Sequence, residues 1–210
     1  MINHIYFRMK IFCIGRNYVE HVRELENEVP TEPLVFMKPA TALLTDNKPF
    51  YHPNFSQNIH FEVEIVLKIS KNGKSIIPQF AKDYYNEIGL GIDFTARDLQ
   101  DTLKKQGHPW EKAKAFDHSA VVGTFYDIAE LEMNHLHFQL FKNEELVQDG
   151  DVKKMIFGFD DLVSHVSTYF TLQKGDLIFT GTPAGVGKIS IGDTYKGFLN
   201  DKINFECTIK

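Results

Sequence analysis

The clearest pattern of hydrophobic and polar positions lies in residues 59–69. Apolar side chains occupy every second position of this stretch, and the positions between them carry mostly charged or polar side chains. Successive side chains of a strand point to opposite faces, so this period of two predicts a β-strand. The adjacent Asn72 and Gly73 are typical of a tight hairpin turn after the strand.

Shorter apolar runs at residues 11–14, 34–37, 88–94, 136–141 and 177–180 indicate further strand-like segments. Helical segments are predicted at residues 18–26, 81–86, 95–105 and 159–169, with Thr95 capping the third. Short strands dominate, so the sequence predicts an α+β domain with a β-rich core. A length of 210 residues suits one domain covering residues 1–210. For residues 1–8, the alternatives are a disordered extension or a true start at Met9.

Composition and charge narrow the classes of function. The net charge is -5 and the pI is about 6.0, so no global basic field exists to hold nucleic acid. No apolar run reaches the roughly 20 residues that a membrane-spanning helix needs, and the first residues do not resemble a signal peptide. The two cysteines, Cys13 and Cys207, fit free buried thiols in a reducing compartment, with a disulfide between them as the alternative. A cytoplasmic protein is expected.

Two glutamates on the predicted strand of residues 59–69 carry the main chemical signal. Glu62 and Glu64 are two positions apart, so their side chains leave the same face and repel each other, more strongly if buried. A solvated strand face is the alternative, since antiparallel sheets often have one wet side. A divalent cation would relieve the repulsion, and oxygen ligands suit Mg²⁺, Ca²⁺ or Mn²⁺. Asp93, at the end of another predicted strand, is the candidate third ligand.

Six segments, taken in order, resemble the fumarylacetoacetate hydrolase family, especially its small acylpyruvase and oxaloacetate decarboxylase branch. Each segment is a weak signal alone, but together they span residues 11 to about 190. The segments are GRNYVEHVRE from Gly15, PLVFMKP from Pro33, HFEVE from His60, GIDFTARDLQ from Gly91, KAKAFD from Lys112 and TGTPAGVG from Thr180. The glycines of the last segment do not form a phosphate-binding loop, because Lys188 is followed by Ile189.

The resemblance implies a mixed β-roll fold of the fumarylacetoacetase C-terminal-domain type with few short helices, and it implies a homodimer. It also implies a divalent cation, Mg²⁺ or else Mn²⁺ or Ca²⁺, on three carboxylates. By motif position the metal ligands are Glu62, Glu64 and Asp93, the catalytic residues are His21, Glu24 and Lys114, and the substrate-binding residues are Arg16, Gln100 and Thr182.

The implied reaction is the metal-dependent hydrolysis of acylpyruvate-type 2,4-dioxo acids, in which a C–C bond breaks through a metal-stabilised enolate. His21 is the predicted general base for water, and Glu24 at spacing i,i+3 fixes its tautomer. Oxaloacetate decarboxylation is a possible additional activity, because it uses the same enolate and needs no water. The alternative functions are an isomerase, tautomerase or decarboxylase of 2-oxo-dienoic diacids, or a catalytically idle binding protein.

Overall fold

Alternating apolar side chains fold the described part of this chain into three β-sheets with few helices. A computed structural model describes residues 9–26 and 28–210, so the alternatives for residues 1–8 lie outside the described residues. The strands, numbered in chain order, are β1 (Ile11–Gly15), β2 (Leu34–Lys38), β3 (Leu43–Leu44), β4 (Ile59–Phe61), β5 (Val63–Ile69), β6 (Tyr85–Asp93), β7 (Thr95–Ala96), β8 (Ala120–Val122), β9 (Tyr126–Asp127), β10 (His137–Lys142), β11 (Glu145–Asp151), β12 (Leu177–Phe179), β13 (Gly187–Lys188), β14 (Thr194–Leu199) and β15 (Lys202–Thr208).

The α-helices are short. They are α1 (Val19–Glu24), α2 (Pro78–Ala81), α3 (Arg97–Gln106), α4 (Glu111–Lys114) and α5 (Phe159–Tyr169). Turns of 3₁₀ helix lie at Ala40–Ala42, Lys82–Tyr84, Ile128–Glu130, Met133–His135 and Val152–Lys154. No helix in residues 9–26 and 28–210 has the length and apolar character of a membrane span.

The largest sheet has the strand order β2-β1-β12-β5-β6-β8-β3, with β9 paired to β6. The pairs β1–β12 and β3–β8 are parallel, and the other pairs in this sheet are antiparallel. A second sheet has the order β11-β10-β14-β15, and a third has the order β13-β4-β7. The predicted α+β class with a β-rich core is therefore confirmed.

Two hydrophobic clusters cover the two faces of the large sheet. One parity of β5 and β6, including Ile65 and Leu90, packs into the larger cluster. The other parity includes Val66, which joins a smaller cluster with Cys13 and Phe179. The side chains at positions 64 and 93 share the face of Val66, because positions two apart on a strand, and partners across strands, point the same way. The carboxylates therefore belong to a buried face.

The single strand predicted at residues 59–69 is divided into β4 and β5 at Glu62. β4 belongs to the three-stranded sheet and β5 to the large sheet. The backbone N–H of Val63 donates to the side-chain oxygen of Gln148 at 2.9 Å, so a side chain supplies its hydrogen-bond partner at the break. The alternation survives the break because Ile59, Phe61 and Val63 are all buried in the larger cluster.

The tight hairpin turn predicted at Asn72 and Gly73 is wrong. Gly73 exchanges both backbone hydrogen bonds with Leu172, at 3.0 and 2.8 Å, instead of reversing the chain. β5 and β6 are antiparallel neighbours, but residues 70–84 join them through α2 and the 3₁₀ turn Lys82–Tyr84. The distant partner at Leu172 outweighs the local turn propensity.

Two predicted helices also differ from the structure. The helix predicted at residues 81–86 is displaced toward the N-terminus, since α2 ends at Ala81 and Tyr85 begins β6. Thr95 does not cap α3, which begins at Arg97 with Ala96 at the cap position. Thr95 lies in β7, and its hydroxyl accepts a hydrogen bond from Lys114 Nζ at 2.6 Å. The helix predicted at residues 159–169 is confirmed as α5.

Candidate active site

Three carboxylates converge where the start of β5 lies beside the end of β6. Glu62 lies at the break before β5, Glu64 is in β5, and Asp93 is the last residue of β6. The backbone N–H of Asp93 donates to the carbonyl of Glu62 at 2.9 Å, which places the two side by side. One oxygen from each carboxylate lies within 4.8 Å of the others, and all three side chains are buried. The three predicted ligands therefore share one site, and the solvated strand face is wrong.

Buried cations lie against two of these carboxylates. Lys114 Nζ is 2.8 Å from Glu62 Oε2 and 2.7 Å from Asp93 Oδ2. Arg97 forms an ion pair with the other oxygen of Glu62. Lys38 Nζ is 2.8 Å from Asp93 Oδ1. Burial of an ion is costly unless it is paired, so these contacts offset the cost of burying Glu62 and Asp93 and orient both carboxylates.

The pKa shifts of this cluster follow its contacts. Burial raises the pKa of Glu62, but the charges of Lys114 and Arg97 outweigh burial and hold that pKa below its usual range. Burial lowers the pKa of Lys114, but Asp93 and Glu62 outweigh it and raise that pKa. The ammonium group of Lys114 is therefore charged throughout the physiological range.

Glu64 differs from its two neighbours. Its Oε2 accepts a hydrogen bond from the backbone N–H of Gly181 at 2.7 Å. Among the residues that the structure describes, none of the ion pairs includes Glu64. Burial and the charges of Asp93 and Glu62 raise its pKa well above the usual range for a carboxyl group. A hard divalent cation fits this position, because it would add positive charge beside a third oxygen ligand.

A histidine faces the carboxylates from α1. His21 is buried, and its Nδ1 lies 3.2 Å from Glu24 Oε2, as the spacing predicted. Burial lowers the pKa of His21, although the charges of Glu62 and Glu24 oppose this shift. A neutral imidazole at pH 7 is able to accept a proton. The other oxygen of Glu24 accepts from the backbone N–H of Gly185 at 3.1 Å, which ties α1 to the loop after β12.

The pocket at this site is a partly open cleft with about 430 Å³ of empty space, which includes adjoining solvent. Eight of the nine predicted site residues line it, and the ninth, Glu24, reaches it through His21. Leu25, Leu34, Phe36 and Trp110 add an apolar wall. A pocket with several polar groups on one side and apolar side chains on the other suits a small acid with a carbon tail.

The three predicted substrate-binding residues come from separate segments. Arg16, directly after β1, has a left-handed backbone with φ 61°. Gln100 in α3 is buried, and its side-chain oxygen accepts from Arg97 at 2.6 Å. Thr182, in the loop after β12, is buried and accepts from Gln148 Nε2 at 2.8 Å. The fold therefore brings all three to the pocket, and their roles stay predictions.

Three further residues at this site carried no predicted role: Lys38, Arg97 and Gln148. Lys38 stands between an apolar run and Pro39, and an isolated lysine there is the available signal for a buried cation. Arg97 lies within one of the six motif segments. Gln148 contacts residues 85 and 34 positions away, and nothing in its local sequence indicates those partners.

Both cysteines are free and buried, so the alternative of a disulfide between Cys13 and Cys207 is not realised. They lie in different hydrophobic clusters.

Known proteins resemble this chain over nearly its whole described length. The family model described as fumarylacetoacetate (FAA) hydrolase C-terminal matches residues 10–210. The human oxaloacetate tautomerase FAHD1, mitochondrial, is 40% identical over 201 residues, which is 95% of this chain and 91% of that protein. Oxaloacetate tautomerase YcgM from Escherichia coli (strain K12) is 37% identical over 186 residues, covering 88% of this chain and 85% of that protein.

A solved structure agrees with these sequence matches. Fumarylpyruvate hydrolase from Pseudomonas aeruginosa, in complex with Mn²⁺ and pyruvate, superposes with a TM-score of 0.90 at 33% identity, covering 95% of this chain and 88% of that chain. The predicted fold type is thereby confirmed. With a family model that matches 201 of its 210 residues, this chain belongs to the fumarylacetoacetate hydrolase family.

Proposed function

We propose that this protein is a divalent-metal-dependent enzyme that hydrolyses acylpyruvate-type 2,4-dioxo acids. The observation that carries this proposal is the buried cluster of Glu62, Glu64 and Asp93, faced by the pair His21–Glu24 across one pocket. The P. aeruginosa relative with Mn²⁺ and pyruvate is named a fumarylpyruvate hydrolase, which fits a 2-oxo acid ligand. Glu62, Glu64 and Asp93 are the proposed metal ligands.

A divalent cation held by Glu62, Glu64 and Asp93 would supply positive charge that stabilises a 2-oxo acid and the enolate formed from it. Water attacks the acyl carbonyl carbon C4, and Nε2 of His21 accepts a proton from that water. Glu24 holds Nδ1 of the imidazole and stabilises its protonated form. The C3–C4 bond then breaks, its electron pair stays on C3, and protonation of C3 gives a 2-oxo acid beside a carboxylic acid.

Negative charge delocalises from C3 onto the 2-oxo oxygen as the bond breaks. Lys114 adds a fixed positive charge at the carboxylate cluster, and Gln100 supplies an amide N–H. The oxygen of this amide is already held by Arg97 at 2.6 Å, which leaves its nitrogen directed elsewhere. Both Arg16 and Thr182 line the pocket. Arg16 is the proposed partner of the substrate carboxylate, and Thr182, in the loop after β12, is a second proposed substrate contact.

The second candidate is interconversion of the enol and keto forms of oxaloacetate, with its decarboxylation as a related activity. The names of the human and E. coli relatives favour it. Tautomerisation moves one proton between oxygen and C3, so it needs a base such as His21 but no attacking water. The same pocket serves both reactions because both place negative charge on C3 and the 2-oxo oxygen.

Mg²⁺ is the proposed physiological ion, with Mn²⁺ as the alternative that the P. aeruginosa complex supports. A homodimer in the cytoplasm is also proposed. Two free, buried thiols support a reducing compartment. The relatives named FAHD1 are mitochondrial, so expression of the protein with a fluorescent tag, compared with compartment markers, tests the location.

A substrate panel tests the activity. Acetylpyruvate, longer acylpyruvates, fumarylpyruvate and oxaloacetate are each incubated with the protein and Mg²⁺ or Mn²⁺. Pyruvate release from acylpyruvates, removed by chelation and restored by added metal, is the expected result. Enol–keto conversion of oxaloacetate without any acylpyruvate cleavage would replace the first candidate with the second. A protein that turns over neither class with either metal contradicts both.

A further inference from the structure

A buried side-chain amide contacts both the carboxylate cluster and the loop after β12 that carries Thr182. Gln148 lies in β11, an edge strand of the second sheet, and the residue is 1% exposed. Its Oε1 accepts from the backbone N–H of Val63 at 2.9 Å. Its Nε2 donates to Thr182 Oγ1 at 2.8 Å and to the carbonyl of Pro183 at 2.9 Å. Both ends of the amide are used, so its orientation is determined by its partners.

The contact between Gln148 and the backbone N–H of Val63 lies beside the carboxylate cluster. Val63 stands between Glu62 and Glu64, at the break that separates β4 from β5. The direction of its N–H is coupled to the backbone that directs both carboxylates. A shift of this peptide would change the separation of the two glutamates, on which a shared cation depends.

The other contacts hold the loop after β12. This loop donates from Gly181 to Glu64 at one end and from Gly185 to Glu24 at the other, with Thr182 between them. β11 also meets the loop through its backbone, since a Cβ added to Gly185 would lie 2.2 Å from the carbonyl oxygen of Val147. The loop therefore packs against β11, and the side chain of Gln148 holds it there through hydrogen bonds.

We infer that Gln148 is a positioning residue that sets the distance between the carboxylate cluster and Thr182. This inference rests on the proposed function, because it treats the cluster as the metal site and Thr182 as a substrate contact. Gln148 itself does not line the pocket, so it acts through Val63 and Thr182. Its loss leaves a buried N–H at Val63 and a buried hydroxyl at Thr182 without their partner, which allows both to shift.

The test uses Gln148→Met, which removes the amide and keeps a flexible side chain of similar size. The matched control is Gln139→Met on the neighbouring strand β10, where a half-buried glutamine bonds to Asp149 at 3.0 Å. Mn²⁺ affinity is measured by electron paramagnetic resonance, and oxalate affinity for the Mn²⁺-loaded protein by calorimetry. Neither measurement requires turnover, so each gives a result even if the proposed reaction is wrong.

Gln148→Met should weaken oxalate binding about tenfold or more, while Gln139→Met leaves it unchanged. The loss should shrink when Thr182 has already been replaced by Val, because the two residues act through one contact. Gln148→Glu keeps an acceptor for the backbone N–H of Val63 and should lose less Mn²⁺ affinity than Gln148→Met. The glutamate variant also serves as the test if the methionine variant is unstable. Wild-type affinities in both Gln148 variants, or losses that add fully to the Thr182→Val loss, would overturn the inference.

Discussion

Glu64 is the residue that most directly reports on the proposed metal. It is buried beside two other carboxylates, and none of the described ion pairs includes it. Glu64→Ala should abolish metal binding and turnover together, because a hard cation loses one of three protein oxygens. Mn²⁺ resonance and the substrate panel measure the two effects. Glu87→Ala, which removes a half-exposed glutamate on β6, is the control, and metal-dependent turnover by Glu64→Ala would refute this ligand assignment.

His21→Ala should separate hydrolysis from the decarboxylation of oxaloacetate, whereas tautomerisation also needs His21 as its base. Hydrolysis needs an activated water, so His21→Ala should lower it by about 10²–10⁴-fold. Decarboxylation of oxaloacetate depends on the metal, Lys114 and Gln100, all of which remain, and it should fall much less. Rates are compared with one metal at saturating substrate, and metal affinity should change little.

The chain offers a close control for this substitution. His135 and Glu132 form the same Nδ1–Oε2 contact at 3.2 Å and the same spacing of three, but on the exposed surface. His135→Ala should leave both rates unchanged. Equal losses of the two activities in His21→Ala would mean that His21 serves binding or closure, and its assignment as the base would then be wrong.

At the level of single residues, the sequence predicts those site residues whose relation follows from their spacing along one strand or helix. Glu62 and Glu64 were predictable because a period of two places them on one face. The pair His21–Glu24 was predictable because residues three apart meet on a helical turn. Lys38 and Gln148 were not assigned roles, because their partners lie between 34 and 85 residues away along the chain.

The elements differ in how firmly the local sequence determines them. α5 matches its prediction because Asp160 and Asp161 lie in its first turn and an apolar face runs along the helix. α3 begins two residues later than predicted because Thr95 and Ala96 pair with β4 as strand β7, a contact from another element. The division of residues 59–69 into two strands likewise depends on Gln148, from a different sheet.

Packing is uneven along the described residues of the segment 16–33, which contains α1. Tyr18 and Val22 are buried, whereas Val29 is 50% exposed. We predict that the segment is more mobile without ligand, since none of the described residues 28–33 is buried. Trypsin should cut after the exposed Arg23 more slowly in the presence of Mn²⁺ and oxalate. Cleavage after the exposed Lys153 is the internal control, and an unchanged rate after Arg23 would contradict a closing segment.

For the whole molecule, ligand binding should appear as added stability. A ligand at about 100 times its Kd adds about 2.7 kcal/mol to the free energy of unfolding. For a chain of this size that corresponds to a rise in Tm of roughly 5–10 °C with Mn²⁺ and oxalate. Differential scanning fluorimetry measures the shift, and a chelator should reverse it. The same rise in Glu64→Ala would place the cation elsewhere in the protein.

The order of strands in the large sheet lay beyond prediction from sequence patterns. β1 is parallel to β12, and Lys10 bonds to Asp176 across 166 residues. Periodicity identifies a strand and its buried face but carries no information about a partner so far away. The family resemblance supplied the fold type that these patterns alone did not.

The pairing of β1 with β12 has a consequence for how the active protein is made. The contact between Glu24 and Gly185 spans 161 residues, and synthesis at about 5–20 residues per second separates their appearance by roughly 8–32 s. During that interval β1 and β5 both lack β12, the strand that lies between them in the finished sheet. Long-range pairings of this kind also slow folding after synthesis. The nascent chain therefore carries its carboxylates well before it can form a working pocket.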